Sequence, residues 1–176
     1  SLILGCKKLH GLEENEINAD NCAVLAERME QSRQRDDLFD YALGEVGNIH
    51  ASLQDPHWDA FNYDTGAEVL KPVLRINAFV ICPFEGQRDH NGTSPYDYAE
   101  KLDFEVTSFD SYLELIGRAM EHHKAAGAVA VKSSLAYDRD LLFEQVEKND
   151  ARRVFEGNRD NLTPEQERAL HDYLMY

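Results

Sequence analysis

Long apolar runs are missing from this chain, and no stretch approaches the roughly 18 residues that a membrane-spanning helix needs. A basic leader is missing as well. The first residues, Ser1-Leu2-Ile3-Leu4, carry no positive charge and open no extended apolar segment, so no secretory signal is visible. Cysteine is scarce: three residues, Cys6, Cys22 and Cys82, form no CxxC pair and leave an odd count. That excludes a disulfide scaffold and predicts reduced thiols in a cytoplasmic setting. Positive charge is in short supply too. Lys plus Arg is 18 against 33 Asp plus Glu, a net charge of −15. Such a surface repels phosphate backbones and anionic lipid, so neither nucleic acid nor a membrane is an expected partner.

The common chemical signatures are also absent. There are seven histidines, but no HxH, no HExxH and no Cys/His cluster, so no self-contained zinc site is expected. His122 and His123 are adjacent and face different ways on a helix. His10, His50, His57, His90 and His171 are scattered. GxGxxG, P-loop and GxSxG patterns do not occur.

What remains is an ordinary globular composition. The chain has 176 residues, 43% apolar and 29% charged, which predicts one domain, residues 1–176. It begins without Met and ends in the apolar Leu174-Met175-Tyr176, so it is expected to be a piece of something longer. Ala23, Leu25, Ala26 and Met29, then Leu38, Phe39, Ala42 and Val46, recur at helical spacing. They predict a helical stretch over 19–46, ended by Gly47, so that 1–47 is a helical N-terminal part. Residues 48–176 read as β/α units. Ile49, Ala51 and Leu53 alternate with polar residues and predict a short strand, closed by Asp55-Pro56. Pro72–Val80 reads as a second strand with Val73, Arg75, Asn77 and Phe79 on one face. Phe109–Ala125 reads as a helix capped by Thr107 or Ser108, with an apolar stripe of Phe109, Tyr112, Leu113, Ile116 and Met120. After Gly127, Ala128–Lys132 reads as a third strand, followed by a helix near Asp150–Phe155. Thr163, Pro164 and Gln166 form a capping box for a last helix. Helices between strands predict an α/β fold with a parallel sheet.

Two places could carry chemistry. Lys132 stands at the C-terminal end of its strand, where parallel α/β folds build their sites. A Lys there is costly to desolvate unless it is paired or modified; the plain alternative is that it points into solvent. If helices cover the sheet, Val129 and Val131 pack against them and the alanines face inward. Arg75 and Asn77 share a face near the end of the other strand. Arg75 could grip a carboxylate with its fork, or it could form a buried ion pair with one of the many acids.

Pro72-Val73-Leu74-Arg75-Ile76-Asn77 and Gly127-Ala-Val-Ala-Val-Lys132-Ser-Ser-Leu-Ala-Tyr137-Asp138-Arg139 resemble part of the amidohydrolase superfamily, in its uronate-isomerase-like, amidohydrolase 2 branch. Leu162-Thr163-Pro164-Glu165-Gln166 fits the same pattern. The resemblance implies a partial (β/α)8 TIM barrel. His50–Leu53, Val73–Phe79 and Ala128–Lys132 would be about its strands two to four, with flanking helices. A whole barrel usually takes about 250 residues. It implies a metal-dependent hydrolase or isomerase acting on a small carboxylate-bearing molecule by hydrolysis, decarboxylation or isomerisation. In such proteins a divalent metal such as zinc is held by an HxH of the first strand and by His and Asp after later strands. None of those positions falls within this chain, so no cofactor is expected in it and the chain alone is expected to be inactive. Lys132 would be the catalytic residue, and a metal ligand only if carboxylated. Arg75, Tyr137 and Arg139 would bind substrate. Open sheet edges would favour self-association. The rival reading is a stand-alone acidic α/β interaction module without catalysis.

Overall fold

The computed structural model describes residues 2–56, 59, 61 and 63–176. His57 lies outside the described residues. The chain divides into two compact units, Ser1–Gln54 with Asp64–Lys71, and Asp55–Tyr63 with Pro72–Tyr176.

The first unit opens with a helix that the periodicity reading did not resolve, α1 (Leu2–His10). Its buried Cys6 packs with Leu12 and with Leu25 of α2 (Cys22–Arg33). Arg28 donates to the carbonyls of Gly11 and His10 at 2.7 and 3.3 Å, satisfying backbone acceptors at the end of α1. The helical stretch expected over 19–46 is interrupted. Residues 30–37, Glu-Gln-Ser-Arg-Gln-Arg-Asp-Asp, offer no apolar side chain to bury, and an Arg35–Asp37 ion pair forms there instead. Beyond it, Asp40–Val46 winds as a π-helix. Asp40 accepts the backbone N–H groups of Glu68 and Val69 at 3.0 and 2.7 Å. Gly47 closes this turn, but Asn48 takes the left-handed conformation, at φ 54°. A side chain at Gly47 would place its Cβ 2.7 Å from the Leu43 carbonyl oxygen. Strand β1 covers Ser52–Gln54, and the Ser52 N–H donates to the Val69 carbonyl.

Strand β2 is Leu70–Arg75 and β3 is Ala130–Lys132; the sheet order is β1-β2-β3. β2 and β3 run parallel, pairing Val73 with Ala130, Leu74 with Val131 and Arg75 with Lys132. Between them lie α3 (Asn77–Ile81), α4 (Pro95–Lys101) and α5 (Phe109–Ala125). Such a helical crossover is what a parallel pair requires. Helices α6 (Lys148–Phe155) and α7 (Pro164–Met175) follow.

The structure departs from the sequence reading at three places. Pro72–Val80 is not one strand. The chain leaves the sheet at Ile76 and turns helical at Asn77, so Asn77 does not share a strand face with Arg75. Ala78, Phe79 and Val80 are buried in succession, and period-2 spacing cannot distinguish such an apolar run from a buried helical turn. Second, the valines before and within β3 are not covered: Val129 and Val131 are 57% and 56% exposed. Third, the buried line of α5 is Phe109, Tyr112, Leu115, Ala119 and His123, whereas Met120 is exposed.

α5 begins where its caps predict. Ser108 accepts from the Ser111 N–H, and the Ser111 hydroxyl accepts from the Ser108 N–H. It ends at Gly127, φ 99°, with Ala128 and Gly127 donating to the carbonyls of His123 and Lys124. Its inner face meets Leu74, Phe79, Tyr98 and Ala99 in one cluster, and Phe84, Ala151, Phe155 and Leu170 in another. Tyr112, fully buried, donates its hydroxyl to the Phe79 carbonyl at 2.8 Å. Tyr112→Phe is expected to lower stability by about 1–2 kcal/mol, because the carbonyl loses its side-chain donor in a dry environment. Urea denaturation of the two proteins measures it.

Candidate functional site

The ends of β2 and β3 meet on one carboxylate. Asp55 follows the last residue of β1, Arg75 ends β2 and Lys132 ends β3. Arg75 and Lys132 are register partners, so their side chains leave the same face of the sheet. Both reach Asp55. Arg75 engages it with both arms of its fork, Nε to Oδ1 at 3.3 Å and Nη2 to Oδ2. Lys132 Nζ donates to Oδ2 at 2.7 Å. Burial alone would raise the Asp55 carboxyl. The hydrogen bonds and charges of Arg75 and Lys132 outweigh it and hold the group below its usual range. The side chains of Arg75 and Asp55 are 15% and 16% exposed, but that of Lys132 is 46% exposed. Two cations therefore share the Asp55 carboxylate, and Lys132 is the accessible one.

Beside this cluster lies a recess of about 20 Å³, lined by Asp55, Pro56, Val73, Arg75, Asp89, Thr93 and Tyr98. That is room for about one water. Asp89 is buried; its Oδ1 accepts the N–H groups of Asn91 and Thr93, while its Oδ2 has no partner among the described residues.

A second group forms just past the ends of β2 and β3. Fully buried Asn77 accepts the Ser134 N–H at 2.7 Å and donates to Asp138 Oδ2 at 3.1 Å. Asp138 Oδ1 in turn meets His90 Nδ1 at 2.7 Å. The Tyr137 ring, largely in solvent, stands 5.7 Å from that of His90.

Of the residues singled out in the sequence, Lys132 and Arg75 are thus brought together. The ion-pair alternative for Arg75 is the arrangement found, with Asp55 as its acid. Tyr137 stands instead beside His90. Arg139 is committed elsewhere. Its guanidinium donates to Asp172 at 2.6 Å and to the carbonyls of Asp140 and Leu142, and it lies over the Phe143 ring. Asp55, Asp89, His90 and Asp138 were not singled out. Asp55 carried one usable signal, a carboxylate directly after an alternating strand.

Among the described residues no group of three or more His, Cys, Asp or Glu is placed to hold a metal ion. Lys132 Nζ is engaged by Asp55, and a carbamate at Nζ would set a second negative charge against that carboxylate. The described residues do not fit the metal centre that the resemblance implies. No helix among the described residues is long and apolar enough to cross a membrane.

The fold is that of an α/β protein with a three-stranded sheet in which β2 and β3 run parallel. Among solved structures, a uronate isomerase from Thermotoga maritima is similar. The TM-score is 0.62 with 16% identity, over 99% of this chain and 38% of that one. This likeness concerns the fold. Among curated proteins, serine hydroxymethyltransferase 6 from Arabidopsis thaliana is 29% identical over 138 residues, covering 74% of this chain and 20% of that protein. The chain therefore spans well under half of either relative. No family model matches it.

Proposed function

We propose that this chain is the substrate-anchoring part of a barrel hydrolase or isomerase acting on a small carboxylate-bearing molecule. The observation that carries the reading is the pairing of two cations with one carboxylate at the ends of parallel strands. That end of a parallel sheet is where such folds bind ligands. The two clustered cations suit an anion. Lys132 supplies the exposed donor, and Arg75, fixed by Asp55, supplies a positive charge whose position does not wander. Asp55 acts as the positioning residue for both. The fold likeness to a uronate isomerase supports the substrate class.

Calorimetric titration with D-glucuronate tests this. The chain should bind it, and Lys132→Met should weaken binding by about tenfold or more, the order expected for one charge-assisted hydrogen bond. Equal affinity in both proteins, or no heat in either, would refute the assignment.

A further inference from the structure

We propose that His90 is a proton-transferring residue of this site, held for that task by Asp138 and Asn77. The inference rests on the reading of the strand ends as the binding place of a small carboxylate-bearing molecule. Asp138 accepts hydrogen bonds only, so at 2.7 Å the proton between it and His90 sits on Nδ1. The other nitrogen, Nε2, then carries a lone pair and makes no hydrogen bond among the described residues. The Asp138 side chain is mostly covered while that of His90 is about one-third exposed, so the carboxylate is fixed and the base is reachable. Asn77 fixes Asp138. Its Oδ1 is taken by the Ser134 N–H, which obliges its Nδ2 to face Asp138 Oδ2. The two groups are neighbours along the chain. Asp89, next to His90, lines the recess with Asp55 and Arg75, and Asn77 is two residues past Arg75.

In this role Nε2 takes a proton from a hydroxyl, or from a carbon beside a carbonyl, of the bound molecule, and the bonding pair stays on that molecule. The imidazolium, facing Asp138, then returns the proton as product forms, so no co-reactant is consumed. His90 is the residue that touches substrate; Asp138 and Asn77 are positioning residues.

The tautomer of His90 gives the first test, by ¹⁵N NMR on the unaltered chain: the proton is expected on Nδ1. In Asp138→Asn the donor from Asn77 holds the new carboxamide oxygen. Its NH₂ is turned to His90 Nδ1, which drives the ring proton to Nε2. Carbethoxylation of His90 by diethyl pyrocarbonate should then slow about tenfold or more. Saturating D-glucuronate should shield His90 in the unaltered chain but leave exposed His50 reacting at its normal rate. An Nε2–H tautomer in the unaltered chain, an unchanged tautomer in Asp138→Asn, or a failure of shielding would each overturn the inference. If D-glucuronate shifts the Lys132 and Arg75 signals yet leaves His90 unshielded, this inference fails and the binding reading stands. If it shifts neither, both fail.

Discussion

Asp172→Ala is expected to cost this chain about 3–5 kcal/mol, the range for breaking a buried ion pair from one side. Asp172 and Arg139 are 3% and 11% exposed at the side chain, and meet at 2.6 Å. Asp172 also accepts the Glu144 N–H, tying α7 to the segment before α6. The guanidinium already has one buried nitrogen, Nη1, without a partner among the described residues. Removing its carboxylate would leave a buried cation held only by carbonyls and a ring face. A domain of this kind has about 5–15 kcal/mol in all, so the loss is a large fraction of the total. The nearby Arg168–Asp140 pair is nearly as short, at 2.8 Å, but lies in solvent. Arg168→Ala should move the urea midpoint little. Comparable shifts in the two variants would show that burial of the Arg139–Asp172 pair does not matter.

Acidification should destabilise the fold well before its carboxylates titrate. Burial, with a smaller contribution from His122, pushes His123 down to about 4. Burial and the Arg139 charge push His171 down to about 4, against the opposing pull of Asp172. An unfolded chain takes up these protons near pH 6.5, so between 6.5 and 4 the unfolded state binds more of them. Stability is therefore complete above about 6.5 and falls as the pH drops toward 4. At pH 5 each histidine has removed about 2 kcal/mol. Asp55 works the other way round. Its pKa is lowered, so the stability it adds is present above the ordinary carboxylate range and lost only below it. His123 is paired with the Tyr63 hydroxyl, whose ionisation burial pushes up to about 12, so that partner stays neutral throughout. Thermal melts at pH 7 and pH 5 measure the effect, which should exceed 5 °C. A flat melting temperature over that interval would show that neither ring is held neutral.

Legibility in the sequence followed how local each signal was. Helix α5 runs over Phe109–Ala125 as its caps and spacing predict, and Thr163, Pro164 and Gln166 open α7 as their capping box predicts. Those signals lie within a few residues of one another. Pro72–Val80 misled because Ala78, Phe79 and Val80 are apolar in any regular structure, and only packing beneath α5 decides their geometry. The position of Lys132 and Arg75 at strand ends was readable; their shared partner was not. Asp55 and Lys132 are 77 residues apart, and the parallel register of β2 and β3 is what unites them. His90 and Asp138 are likewise 48 residues apart, with no spacing to betray them. Arg139 looked like a ligand-binding cation because its charge was visible, while the carboxylate that occupies it, Asp172, lay a helix away.

The central claim is that the strand ends hold a carboxylate through Arg75 and Lys132. Amide and side-chain NMR shifts during titration with D-glucuronate, set against uncharged glucose, test it most directly. Saturating shifts centred on Asp55, Arg75 and Lys132 are expected, and glucose should not produce them. Shifts centred elsewhere, equal shifts with glucose, or none at all would contradict it.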